Sequence, residues 1–154
     1  NDATDFPIAA KTSTDTLGTL EWLFYSGEGN DYLCLQLNDS NTTNWIALPS
    51  ANTLTNFEGK WTFVTATYDG SGSTNGIKLY ANGSQLTTGS PASSGSYTAM
   101  ENTSASTYIG TMWPTDGSYK QFADGLIDDV RIYNYALTPT QIKTVMNSGT
   151  VSFQ

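Results

Sequence analysis

The chain has 154 residues, with six Lys+Arg against fourteen Asp+Glu, a formal charge of -8, and no histidine. Histidine is the usual general base near neutral pH and the commonest metal ligand, so these counts exclude Ser-His-Asp and Cys-His catalysis and His-ligated zinc. A lone cysteine, Cys34, can form neither an internal disulfide nor a CxxC site, and so few cations on a negative chain exclude nucleic acid as a partner.

No apolar run approaches the roughly 18 residues of a membrane span, and no signal-peptide pattern opens the chain, so no membrane insertion is expected. The length suits one domain with one core. Ser, Thr and Asn supply 52 residues while charged residues make up only 13%, about half the usual quarter. Such a surface is wetted by hydroxyls and amides, which suits an exported protein. With 12% aromatics the composition is the reverse of a disordered one.

In chain order, short alternating runs separated by Gly, Asn, Ser and Asp predict strands over Phe6–Lys11, Leu20–Ser26, Tyr32–Leu37, Trp45–Leu48 and Trp61–Tyr68. Further strands are expected over Ile77–Ala81, Ser84–Thr88, Thr107–Thr111 and Leu126–Tyr133. Trp61, in an alternating strand, is expected in the core. Asn82-Gly83 between two runs predicts a type I′ hairpin turn, which needs positive φ at both central residues. Residues 89–106, rich in Ser, Ala and Gly, read as a long surface loop. The single helix signal is Thr138-Pro139-Thr140-Gln141, a capping hydroxyl with proline at the first helical position and Gln at the third. Ile142, Val145 and Met146 follow at helical spacing and Gly149 would stop the helix. The fold class is therefore all-β: a two-sheet antiparallel sandwich with one short C-terminal helix.

Four ordered blocks carry a resemblance. Gly59-Lys60-Trp61-Thr62-Phe63-Val64-Thr65-Ala66-Thr67-Tyr68-Asp69-Gly70 is followed by Ile77-Lys78-Leu79-Tyr80-Ala81-Asn82-Gly83, then by Tyr108-Ile109-Gly110. The last is Gly125-Leu126-Ile127-Asp128-Asp129-Val130-Arg131-Ile132-Tyr133-Asn134-Tyr135-Ala136-Leu137-Thr138. Together these blocks resemble the laminin-G-like, concanavalin A-like jelly-roll superfamily over about residues 20–149. The resemblance implies two packed antiparallel sheets, and a role as a carbohydrate-binding module, adhesion domain or lectin in a secreted or surface-exposed protein. Residues 1–154 are thus expected to form a single domain of this kind. Members begin with one or two further strands beside the last one, and Asn1 to Lys11 resembles the continuation after them. A missing strand would leave an edge open to pairing with neighbouring copies, and the tail Val151-Ser152-Phe153 alternates as a filling strand would.

Alternation places Leu126, Asp128, Val130 and Ile132 on one face of the last predicted strand, so Asp128 is expected inside an apolar row. A carboxylate there must be bonded or paired. The resemblance implies a structural calcium near this strand, with Asp128 as ligand and Asp124, or more weakly Asp116, beside it; the alternative is that Asp128 accepts backbone N–H bonds. Glycosidases on this jelly roll need paired acids on one strand. Glu21, Glu28, Glu58 and Glu101 are nowhere at i, i+2 or i, i+4 spacing, and Asp128-Asp129 point to opposite faces, so no catalysis is expected.

Sugar sites combine an aromatic platform with amides and carboxylates. The loop holding Trp113, Asp116 and Tyr119 has that chemistry, either as a platform for a glycan or surface polysaccharide or as an anchor for the loop itself. Trp45, with Asn44, Asn41 and Tyr32 as neighbours, points either way. N-x-Ser/Thr sequons stand at Asn38, Asn41, Asn82 and Asn102. These features predict a non-catalytic extracellular recognition module. The alternative is a structural subunit of an extracellular filament, pilus or virion appendage.

Overall fold

A computed structural model describes residues 6–12, 20–27, 31–39, 43–112 and 121–148. In chain order the strands are β1 Phe6–Thr12, β2 Trp22–Ser26, β3 Leu33–Asn38, β4 Trp45–Pro49, β5 Val64–Tyr68 and β6 Ile77–Ala81. Short strands follow: β7 Ser84–Gln85, β8 Ala92–Ser94, β9 Ser106–Ile109, β10 Thr111–Met112 and β11 Gln121–Phe122. Helix α1, Pro139–Ser148, closes the described chain. All strand pairs are antiparallel: a six-stranded sheet in the order β8-β4-β3-β2-β1-β9, a three-stranded sheet β5-β6-β7, and the small pair β10-β11.

Alternation decides what each strand buries. Leu33, Leu35 and Leu37 of β3 and Ile46 and Leu48 of β4 meet Ile77 and Leu79 of β6 in the main core, with Trp22, Phe24, Val64, Ala66 and Tyr68 packed against it. Two sheets facing one another across that cluster make the expected sandwich. On the outer face of the smaller sheet, Tyr80 is covered by Leu137 and by Ile142 of α1, with Phe63 and Val145 alongside. The helix starts as its sequence dictates. Gln141 N–H donates to Thr138 Oγ1 (3.3 Å) while Thr138 N–H donates to Gln141 Oε1 (2.8 Å), a reciprocal capping box. Gly149 lies outside the described residues.

The Asn82-Gly83 turn forms as expected, with φ of 48° and 72°, and Asn82 Oδ1 also accepts the Phe63 N–H (3.0 Å). Residues 89–106 are more tied down than a surface loop. β8 pairs with β4, Tyr97 packs on the main core, and the Glu21 carboxylate captures Thr103.

Two expectations fail. Trp61 is 69% exposed: β5 begins only at Val64, and bonding to the β6 side starts at Phe63, two residues after Trp61. Leu126–Tyr133 forms no strand: Leu126 and Ile132 are 80% and 63% exposed, and Asp129 sits at φ 51°. A strand exists only where a neighbour completes its hydrogen-bond ladder, and none of the described residues pairs with this segment.

Candidate functional site

The outer face of the six-stranded sheet collects the polar members of β3 and β4. With Leu35, Leu37, Ile46 and Leu48 turned inward, Gln36, Asn38, Trp45, Ala47 and Pro49 must turn outward. Register places Trp45 directly opposite Asn38 on one side and Ser94 of β8 on the other, and Gln36 opposite Ala47. Gln36 Nε2 donates to Asn38 Oδ1 (3.0 Å), which fixes both amides beside the half-buried indole.

Asn44, the other residue expected here, has its amide engaged at both ends. Its Nδ2 donates to Asp39 Oδ2 (3.2 Å) and its Oδ1 accepts the Ser96 N–H (3.2 Å). It therefore fastens the segment after β8 to the turn before β4 and holds the wall beside Trp45. Gly95, at φ 60°, lets that backbone approach closely: an added Cβ would meet the Asn44 amide. Tyr25 and Tyr32 make an edge contact with centroids 6.5 Å apart. The arrangement is an indole framed by amides, hydroxyls and one carboxylate, with no cation among the described residues that frame it.

Sequence reasoning named Asn38 only as a sequon and did not name Gln36. Their signal was available, since they are the two polar residues in the otherwise apolar Leu33-Cys34-Leu35-Gln36-Leu37-Asn38, two apart and hence on one face. Asn38 is 2% exposed, so its amide is buried in the folded chain. Trp113, Asp116, Tyr119 and Asn41 lie outside the described residues, as does the tail Val151–Phe153.

Asp128 is exposed on irregular chain, so burial does not demand a cation beside it. Its Oδ1 accepts the Asp129 N–H (2.8 Å), the alternative considered for it. Asp129 forms a two-pronged pair with Arg131, Nε to Oδ1 and Nη2 to Oδ2 both at 2.8 Å, which holds the guanidinium charged. Asp124 is also exposed, and no group of three or more acidic side chains gathers among the described residues. A calcium cage needs six to eight oxygens, so beyond Asp128 and Asp124 a site here would have to draw on backbone carbonyls.

Among the glutamates, Glu21 is 3% exposed and fully engaged. Its Oε1 accepts the Thr103 N–H (2.7 Å) and hydroxyl (2.6 Å), and its Oε2 pairs with Lys11 Nζ (2.8 Å). Glu58 and Glu101 are exposed, and Glu28 lies outside the described residues.

Two antiparallel sheets, a core between them and a polar face carrying an aromatic define a jelly-roll sandwich of the lectin-like kind. A family model described as Laminin_G_3, concanavalin A-like lectin/glucanases superfamily, matches residues 1–143, and the chain belongs to that family. No curated protein matches. The chain is similar to a crystal structure of an S-layer domain-containing protein (residues 221–444) from Clostridium thermocellum ATCC 27405. The two share 24% identity with a TM-score of 0.42, over 95% of this chain and 64% of that one. No described helix is long and apolar enough to cross a membrane.

Proposed function

We propose that this domain is a non-catalytic extracellular recognition module that binds carbohydrate. The observation that carries the reading is Trp45, half-buried on the outer sheet face between Asn38 and Ser94. An indole stacks on the apolar face of a sugar ring, while the half-buried Gln36 amide, held by Asn38, and the exposed Ser94 hydroxyl bond its hydroxyl groups. Trp113, Asp116 and Tyr119 join the proposal on sequence chemistry. The extracellular setting rests on the hydroxyl-rich, charge-poor composition.

A non-catalytic role is supported by the glutamates. Glu21 is committed to Thr103 and Lys11, and no two glutamates are spaced for a common strand face. Calcium stays in the proposal on the resemblance alone. Chelator should lower the melting temperature if the folded chain holds the ion, and an unchanged value removes it.

The test is a glycan array with the intact chain, Trp45→Ala and Trp113→Ala. Glycan binding lost in Trp45→Ala, with the far-UV spectrum kept, supports the site; full binding in both variants refutes it. Glycan turnover that falls on removing a glutamate would overturn the non-catalytic reading.

A second reading, a structural subunit of an extracellular filament or appendage assembled by strand pairing between chains, draws on the outer edge of β5, which no described strand meets.

A further inference from the structure

Beside β5 the two sheets leave a groove of about 1280 Å³. Its walls include Phe6, Phe24 and Leu35 of the larger sheet side and Val64 and Ala66 of β5, with Trp61 at its margin. Along another side runs the segment 126–136, whose first part, Leu126–Tyr133, alternates as a strand would but joins no described sheet.

The β5 edge itself points to the missing element. Asn82 N–H bonds Phe63 carbonyl (2.7 Å) and Asp69 N–H bonds Gly76 carbonyl (3.3 Å), so the odd-numbered residues 63 to 69 direct their backbone groups at β6. Antiparallel ladders alternate, so Val64, Ala66 and Tyr68 direct their N–H and C=O groups into the groove. No described strand meets them. The buried Thr65 Oγ1, also in the groove wall, likewise finds no partner among the described residues.

Size and charge narrow the occupant. A sandwiched strand fills about 160 Å³ per residue, from a spacing of about 4.8 Å, a sheet separation of about 10 Å and a rise of about 3.3 Å. On that scale the groove has room for one strand of at least about eight residues. Its lining carries five carboxylates, Asp31, Glu58, Asp69, Asp128 and Asp129, against two cations, Lys60 and Arg131. Arg131 is already paired with Asp129. A second copy of this chain, at -8, is poorly matched to that rim.

We propose that the groove accepts one extended strand of a different, partner polypeptide, apolar at alternate positions and flanked by lysine or arginine. The strand adds to the β5 edge through Val64, Ala66 and Tyr68, and buries the apolar residues of 126–133. This narrows the strand-pairing reading by naming the donor's chemistry, and it is independent of the glycan site.

The intact 154-residue chain is titrated with a ten-residue peptide carrying valine at alternate positions, threonine between and lysine at both ends. Two controls bracket it, one with the same residues and the valines made consecutive, one with glutamate for lysine. The lysine peptide should raise the melting temperature, protect the amides of Val64, Ala66, Tyr68 and 126–133 from exchange, and bind at least about tenfold tighter than either control. Its advantage over the glutamate peptide should shrink with salt. Ala66→Pro removes an N–H that bonds no other described strand, so the fold should keep its spectrum while peptide binding is lost. Equal binding of all three peptides, no binding, or peptide-independent protection of the same amides in a concentration-dependent dimer overturns the proposal. Glycan binding is read separately, so loss of one leaves the other intact.

Discussion

Glu21→Gln should be among the most costly single changes to stability. The substitution keeps the shape and removes the charge from a carboxylate 3% exposed that binds Lys11 and both donors of Thr103. Removing one partner of a buried pair typically costs about 3–5 kcal/mol. Lys11 keeps two acceptors, Asn102 Oδ1 at 2.8 Å and Thr103 carbonyl at 3.3 Å, and its side chain is 17% exposed. The cost should therefore sit at the lower end or just under it, about 2–4 kcal/mol. Lys11→Met should cost a similar amount, because it leaves the carboxylate with Thr103 alone. The double variant should cost much less than the sum, with a coupling energy of about 2 kcal/mol. Urea denaturation of the four proteins measures that coupling, and hydrogen exchange at Thr103 and Ala105 reports whether the 101–105 segment has come loose. A coupling under about 0.5 kcal/mol, the size of a surface pair, would refute the reasoning.

Asp69 accepts from the Ser71 hydroxyl and N–H, which hold its carboxyl below the ordinary 3.8. A depressed carboxylate stabilises the fold above its unfolded pKa and loses that contribution as pH falls through the folded value, so Asp69→Asn should flatten the stability curve below about pH 4. Urea midpoints from pH 6 to pH 3 that fall in parallel for both proteins would contradict this. Thr138→Ala should cost about 1 kcal/mol by deleting one arm of the capping box, measured as a shift in denaturation midpoint. Leu79→Ala, at a residue wholly buried between the sheets, should cost about 2–5 kcal/mol; a value under about 1 kcal/mol would mean that the core closes up around the space.

Local signals were legible wherever the structure is local. β1 to β6 stand within a few residues of the predicted runs, because alternation reports a half-buried strand directly. Asn82-Gly83 and Thr138 to Gln141 formed as read, since each closes within four residues of sequence. The candidate sugar site was legible in part: Trp45 was named, yet Asn44 serves to fasten the turn, and the amides beside the indole belong to Gln36 and Asn38. Glu21 was read only as an unpaired acid. Its partner Thr103 is 82 positions away, beyond any spacing rule.

By itself, then, the sequence determined an all-β sandwich with a helical lid, a histidine-free surface of hydroxyls and amides, and a resemblance that the family match bears out. Tertiary structure alone decided which alternating runs became strands. Val64–Tyr68 and Leu126–Tyr133 carry equally good patterns, but only the first has β6 beside it. Alternation encodes which face a residue would bury, whereas a strand exists only through the ladder that a neighbour completes. That neighbour is a property of the folded arrangement, and Trp61, Leu126 and Ile132 stand exposed where no described strand meets them.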